Sequence, residues 1–174
     1  INYDPLADTD DGSCNYHMTY IPDDNFEQEL INLGYDSGAL DDSVLTSNIN
    51  TVVSLNLENK SISNLTGIEG FTSLDSLNIK SNQLTSLDLS QNSNLQNLDC
   101  SFNNISTLNL SGNPLLDIIN CEWNQLTSID LSGNYQLELL FISNNSLTTI
   151  DLAINDKLVI VQINENNLTT LDLS

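Results

Sequence analysis

The sequence predicts a β-rich solenoid, a chain wound into stacked coils around one shared core, with a short helical cap at its N-terminal side. Three observations carry this. Apolar residues recur every 21 positions, asparagine recurs on the same step, and within each unit apolar and polar residues alternate as they do along a strand. One such coil cannot bury its own apolar side. Successive coils must therefore stack, one parallel strand each, about 4.8 Å apart.

Leu74, Leu95, Leu116, Leu137 and Leu158 set the step. Three residues on stand Leu77, Leu98, Ile119, Leu140 and Val161, and five on stand Ile79, Cys100, Cys121, Ile142 and Ile163. An unbroken asparagine column follows at Asn82, Asn103, Asn124, Asn145 and Asn166, and a second at Asn92, Asn113, Asn134 and Asn155. These columns account for a composition of 30 Leu and 27 Asn in 174 residues. A side-chain amide placed where the chain turns can donate to and accept from backbone groups that the turn leaves unpaired. In each second half the sequence alternates again, with Leu87, Leu108, Ile129, Ile150 and Leu171 pointing inward, so a second strand-like face is expected opposite the first.

Ahead of the coils, Asp24 followed by Glu27 reads as a capping box after Pro22. Phe26, Leu30 and Leu33 then form one apolar stripe, closed by Gly34, and predict a helix over 24–33. Residues 35–50 are a polar connection in which Leu40, Val44, Leu45 and Ile49 pack. The division is 1–19, an acidic Cys-containing segment; 20–50, the cap; and 51–174, the solenoid of about six coils. The start at Ile1 and the stop at Ser174 inside a coil are read as a fragment of a longer chain.

Charge excludes many functions. Three Lys and no Arg stand against 24 Asp plus Glu, a net charge of −21. Nucleic acid and anionic membrane surfaces need clustered cations, which are absent. No run of about 18 apolar residues exists to insert in a bilayer. His17 has no recognisable catalytic neighbour, so no catalytic residue is assigned and no enzyme is expected. Asp4, Asp8, Asp10 and Asp11 are of the right type to ligate calcium, although their spacing misses the EF-hand pattern and a solvated acidic linker is the plainer alternative. No other cofactor is expected. Cys100 and Cys121 point to the core as buried thiols, while Cys14 is left over.

Outward columns should be polar by default. Ile118, Leu139, Ile160 and Phe141 depart from that on the strand face, with Phe102 and Trp123 beside them. Exposed apolar clusters rimmed by polar groups mark binding surfaces, contacts with a following domain or self-association surfaces. The opposite Ser/Thr column, with Asp88, Asn109, Asp130 and Asp151 alongside, reads as a solvated face.

The motif L-x-x-L-x-L-x-x-N-x-L, present as LDSLNIKSNQL from Leu74 to Leu84, resembles the leucine-rich repeat family. The doubled 10-plus-11 unit is similar to the nested subclass called IRREKO repeats, in which a Cys often fills the slot of Cys100 and Cys121. The first unit, from Val52, has 22 residues and an internalin-like half, and Lys60 stands where asparagine is expected. IPDDNFEQELINLGYD is similar to segments preceding such repeats in secreted Bacteroidetes proteins. The N-Y-D-P…D-D-G-S-C stretch resembles a module whose final Cys pairs with an upstream one. The resemblance implies a right-handed leucine-rich-repeat solenoid in a secreted or cell-surface bacterial protein. The expected function is adhesion or recognition of a protein partner through the strand face, with a glycan ligand or a rigid spacer role as alternatives.

Overall fold

The computed structural model describes residues 17–169. The cap comprises β1 (Met18–Tyr20), α1 (Asp24–Asn32), β2 (Ser43–Leu45) and α2 (Thr46–Ile49). β1 pairs antiparallel with β2, which draws residues on both sides of position 19 into the cap. Among the described residues no helix is long and apolar enough to cross a membrane.

The helix is capped by Asp23, not Asp24. Asp23 has the extended backbone that an N-cap requires, and its Oδ1 accepts from Asn25 N and Phe26 N, each at 3.1 Å. Glu27 closes no capping box. It is fully buried, and its two oxygens accept from Asp41 N at 2.8 Å and Asp42 N at 3.1 Å. It thereby holds the loop in which Asp42 is left-handed, φ 61°. Phe26 and Leu30 are buried as the stripe requires, but Leu33 and Leu40 are exposed. The helix ends one residue early, with Leu33 as its C-cap and left-handed Gly34 after it.

Asp23 also ties the cap to the first coil. Its Oδ2 accepts from Ser63 N, Ser63 Oγ and Asn64 N at 2.8–3.0 Å. Lys60 meets Glu29 at 2.9 Å, and the Phe26 and Phe71 rings stack in the core with centroids 6.3 Å apart. Gly67, at φ 104°, lies so close beneath that a Cβ there would overlap the Ile21 side chain and sit 2.7 Å from Tyr20 O. Only glycine suits both the conformation and the approach.

Six strands follow: β3 (Ser54–Asn56), β4 (Ser76–Asn78), β5 (Asn97–Asp99), β6 (Ile118–Asn120), β7 (Leu139–Phe141) and β8 (Ile160–Gln162). They form one parallel sheet in chain order, a leucine-rich-repeat solenoid. Register pairs Ser54 with Ser76, Ser76 with Asn97, Asn97 with Ile118, Ile118 with Leu139, and Leu139 with Ile160. The first coil is therefore one residue longer than the others. The opposite face is thinner than a second sheet. It is a ladder of single bridges, Asp88 to Asn109 and Asn109 to Asp130.

The first asparagine column staples each coil to the one before. Asn103 Oδ1 accepts from Leu84 N at 3.0 Å, and its Nδ2 donates to Ile79 O, Cys100 O and Ser101 O. Asn124, Asn145 and Asn166 repeat the pattern on Ile105 N, Leu126 N and Leu147 N. At the first coil Asn82 serves Lys60 N and Ile62 N. There the turn contains two left-handed residues, Asn59 and Ser61, where later coils have one.

The second column works differently. Asn92, Asn113, Asn134 and Asn155 donate across the coils, as Asn113 Nδ2 does to Leu89 O and Asn92 O. Their Oδ1 atoms are buried without a protein partner among the described residues. The reason is local. The nearby N–H groups already close turns of their own, as Asn113 N to Leu110 O and Leu116 N to Asn113 O do.

Cys100 and Cys121 are free, buried thiols in adjacent coils. Burial pushes the Cys100 thiol up to about 12 and the Cys121 thiol well above its usual value. Maleimide should leave both unmodified in the native protein at pH 8 and label both in guanidinium chloride. Native labelling of either, followed by mass spectrometry, would contradict this packing.

Candidate recognition face

The outward side of the sheet is divided into structural and unassigned positions. One outward column caps the turn that leaves each strand. Asn56, Asn78, Asp99 and Asn120 each accept through Oδ1 from the N–H two residues on, at Glu58, Lys80, Ser101 and Glu122, within 3.0–3.2 Å. In the next coils this column holds Phe141 and Gln162. Phe141 has no acceptor to offer Ser143 N, so it gives up a bond that four coils make.

The neighbouring column is left-handed throughout. Ser81, Phe102, Trp123, Asn144 and Glu165 have φ between 52° and 57°. Asparagine tolerates this region, but a bulky ring costs about 1–2 kcal/mol there. Phe102 and Trp123 are nevertheless placed in it, 45% and 52% exposed, with stacked rings 5.5 Å apart and 12° from parallel. Lys80 Nζ lies 5.7 Å from the Phe102 centroid, on the coil before.

Ile118, Leu139 and Ile160 are register partners across β6, β7 and β8, and Phe141 shares their face of β7. The first two and Phe141 are half-buried, while Ile160 is exposed. Val159, overlooked in the sequence, is 75% exposed beside Ile160. A signal for it existed: it interrupts the polar column Asp75, Gln96, Asp117 and Glu138. A shallow notch of about 260 Å³ opens where small Ser76 and Asn97 give way to Ile118 and Phe141, with Asn78 and Asp99 in its lining.

Larger grooves, of about 410 and 380 Å³, run along the bridge-ladder face. Its acidic column is exposed to solvent, as the sequence suggested, and is also bonded to the backbone. Asp88, Asn109, Asp130 and Asp151 each accept through Oδ1 from the N–H two residues on. Bonds from Ser90 and Ser132 hold Asp88 and Asp130 below the usual carboxylate value. Leu87 and Leu108 beneath them are buried. The side chains of the acidic column serve the turns of the fold. His17 is exposed at the cap, and Asp4, Asp8, Asp10, Asp11 and Cys14 lie outside the described residues.

A 74-residue stretch, 42% of the chain, is 39% identical to internalin J of Listeria monocytogenes serotype 4b (strain F2365) and spans 8% of that protein. Among solved structures, the functional domain of internalin J from Listeria monocytogenes, described as including a cysteine ladder, matches with a TM-score of 0.83 and 34% identity. The match covers 91% of this chain and 36% of that one. Internalin C2 of Listeria monocytogenes strain 4b F2365 shares the fold, with a TM-score of 0.62 at 22% identity over 88% of this chain and 78% of its own. No family model matches the chain.

Proposed function

We propose that this leucine-rich-repeat solenoid, similar in sequence and fold to the functional domain of internalin J, is a non-enzymatic recognition module. It binds a protein partner through the β6–β8 face, outside the cell or at a bacterial cell surface. One observation supports the reading above all: Phe141 and Trp123 occupy columns where the fold is better served by asparagine. Aromatic side chains at a local energetic cost, next to exposed Ile160 and Val159, suit the anchor residues of an interface. A glycan reading is weaker. Each ring of the Phe102–Trp123 pair covers one face of the other, and Lys80 stands over Phe102, so only Trp123 keeps a ring face for a sugar.

The double change Phe141→Asn with Trp123→Asn tests this sharply. It restores a turn acceptor at 141 and relieves the left-handed ring at 123, which offsets the lost Phe102–Trp123 stack and the half-burial of Phe141, so stability should change by less than about 1 kcal/mol. For a chain of this size that keeps the melting temperature within roughly 4 °C of the wild type. Retention of extracellular proteins on the immobilised chain should be lost in the same variant. A retained set identical to that of the wild type would sink the proposed face.

A further inference from the structure

We infer that the partner segment recognised by this face is cationic: a polypeptide stretch whose apolar side chains are flanked by Lys or Arg. The inference rests on the recognition face proposed above and adds the chemistry of what fills it. Its basis is the distribution of uncommitted charge. Asp117 and Glu138 immediately precede Ile118 and Leu139 along one border of the patch. Glu122 and Glu165 lie along the other, beside Trp123 and in its column.

The three glutamates make no hydrogen bond or ion pair through their side chains among the described residues. Other coils place an uncharged residue at the same position, Ser101 and Ser143 for Glu122, Gln96 for Glu138 and Asn144 for Glu165, so the fold does not demand a glutamate there. The acids of the bridge-ladder face, by contrast, are committed to turns at Ser90, Ser132 and Ala153. High overall acidity alone does not predict that difference.

The cations of the chain leave the patch uncompensated. Lys60 is paired with Glu29, Lys80 is drawn to Glu58 and Phe102, and Lys157 is hydrogen-bonded to Gln136. Lys80 also shows within the molecule that the aromatic stack accepts an ammonium group. An apolar patch bordered by unpaired carboxylates repels an acidic segment and steers a basic one toward it.

The test uses the whole chain and three synthetic peptides of equal length, alternating Leu/Lys, Leu/Glu and Ser/Lys. Leu/Lys should bind, with affinity falling roughly tenfold between low and high salt. Leu/Glu should not bind, and Ser/Lys should bind more weakly for want of apolar anchors. Glu122→Gln with Glu138→Gln should weaken Leu/Lys binding several-fold and flatten its salt dependence. Asp130→Asn, which copies Asn109 one coil earlier, should do neither. Equal effects from the two faces, or Leu/Glu binding as tightly as Leu/Lys, would overturn the inference. If Leu/Glu binds and Phe141→Asn abolishes it, the face stands and only the charge preference falls. If Phe141→Asn changes the binding of no peptide, the face itself falls.

Discussion

Asp23→Ala is expected to destabilise the protein by about 3 kcal/mol, read as a lower urea midpoint, although the residue lies outside the repeats. One carboxylate accepts five hydrogen bonds: two from the start of α1 and three from Ser63 and Asn64, 40 and 41 positions away. Loss of the N-cap alone costs about 1 kcal/mol, and each buried N–H left orphaned about 1–3 kcal/mol more. Water entering the loosened seam recovers part of that. The cap then lifts from the first coil and exposes Ile21, Phe26 and Phe71, which are fully buried in the native protein. A loss below about 0.5 kcal/mol, the range of ordinary surface substitutions, would show that the seam does not depend on Asp23.

The same carboxylate links stability to pH. Burial raises its pKa, but the bonds from Ser63, Phe26 and Asn64 together outweigh burial, and the net direction is down from 3.8. A group with a depressed folded pKa contributes its stabilisation in full above the unfolded value and loses it as pH falls through the folded one. The wild type should therefore weaken below about pH 4, where an unfolded Asp begins to take up protons. Asp23→Ala should lack that part of the acid dependence. Parallel curves for the two proteins from pH 5 to pH 2 would count against the assignment.

Asn103→Ala is expected to cost about 2–4 kcal/mol, and most of the loss comes from one atom. Its Nδ2 serves three carbonyls, but each keeps another donor: Asn82 for Ile79 O, Asn124 for Cys100 O, and Ser81 N for Ser101 O. Leu84 N–H has no such substitute, and it is buried. Desolvation of that group, together with the cavity left behind, gives that range. Asn103→Asp distinguishes this account from simple packing. It keeps the acceptor for Leu84 N but turns a carboxylate oxygen toward three carbonyl oxygens, so it should be at least as damaging near neutral pH. A well-tolerated Asn103→Asp change would remove the ladder from the explanation of the fold.

Much of this was legible in the chain itself. The 21-residue step, the inward columns, the asparagine corners and the apolar break at Ile118, Leu139, Phe141 and Ile160 are local periodicities. In a solenoid each residue's surroundings are copied from the coil before, so reading along the sequence amounts to reading across the sheet. The turn bonds that the exposed column makes beside Ser90, Ser111 and Ser132 escaped that reading, because an Asp that caps a turn and one that does not look alike in one dimension.

Coil order, the inward leucines and the corner amides were decided by the sequence alone, because a single repeated unit satisfies them. Where unlike parts meet, only the tertiary structure decided. It made Asp23 rather than Asp24 the cap and buried Glu27 to hold the Asp41–Asp42 loop. Such contacts join groups with no shared period, and their free energy depends on which backbone donors the packing leaves unpaired.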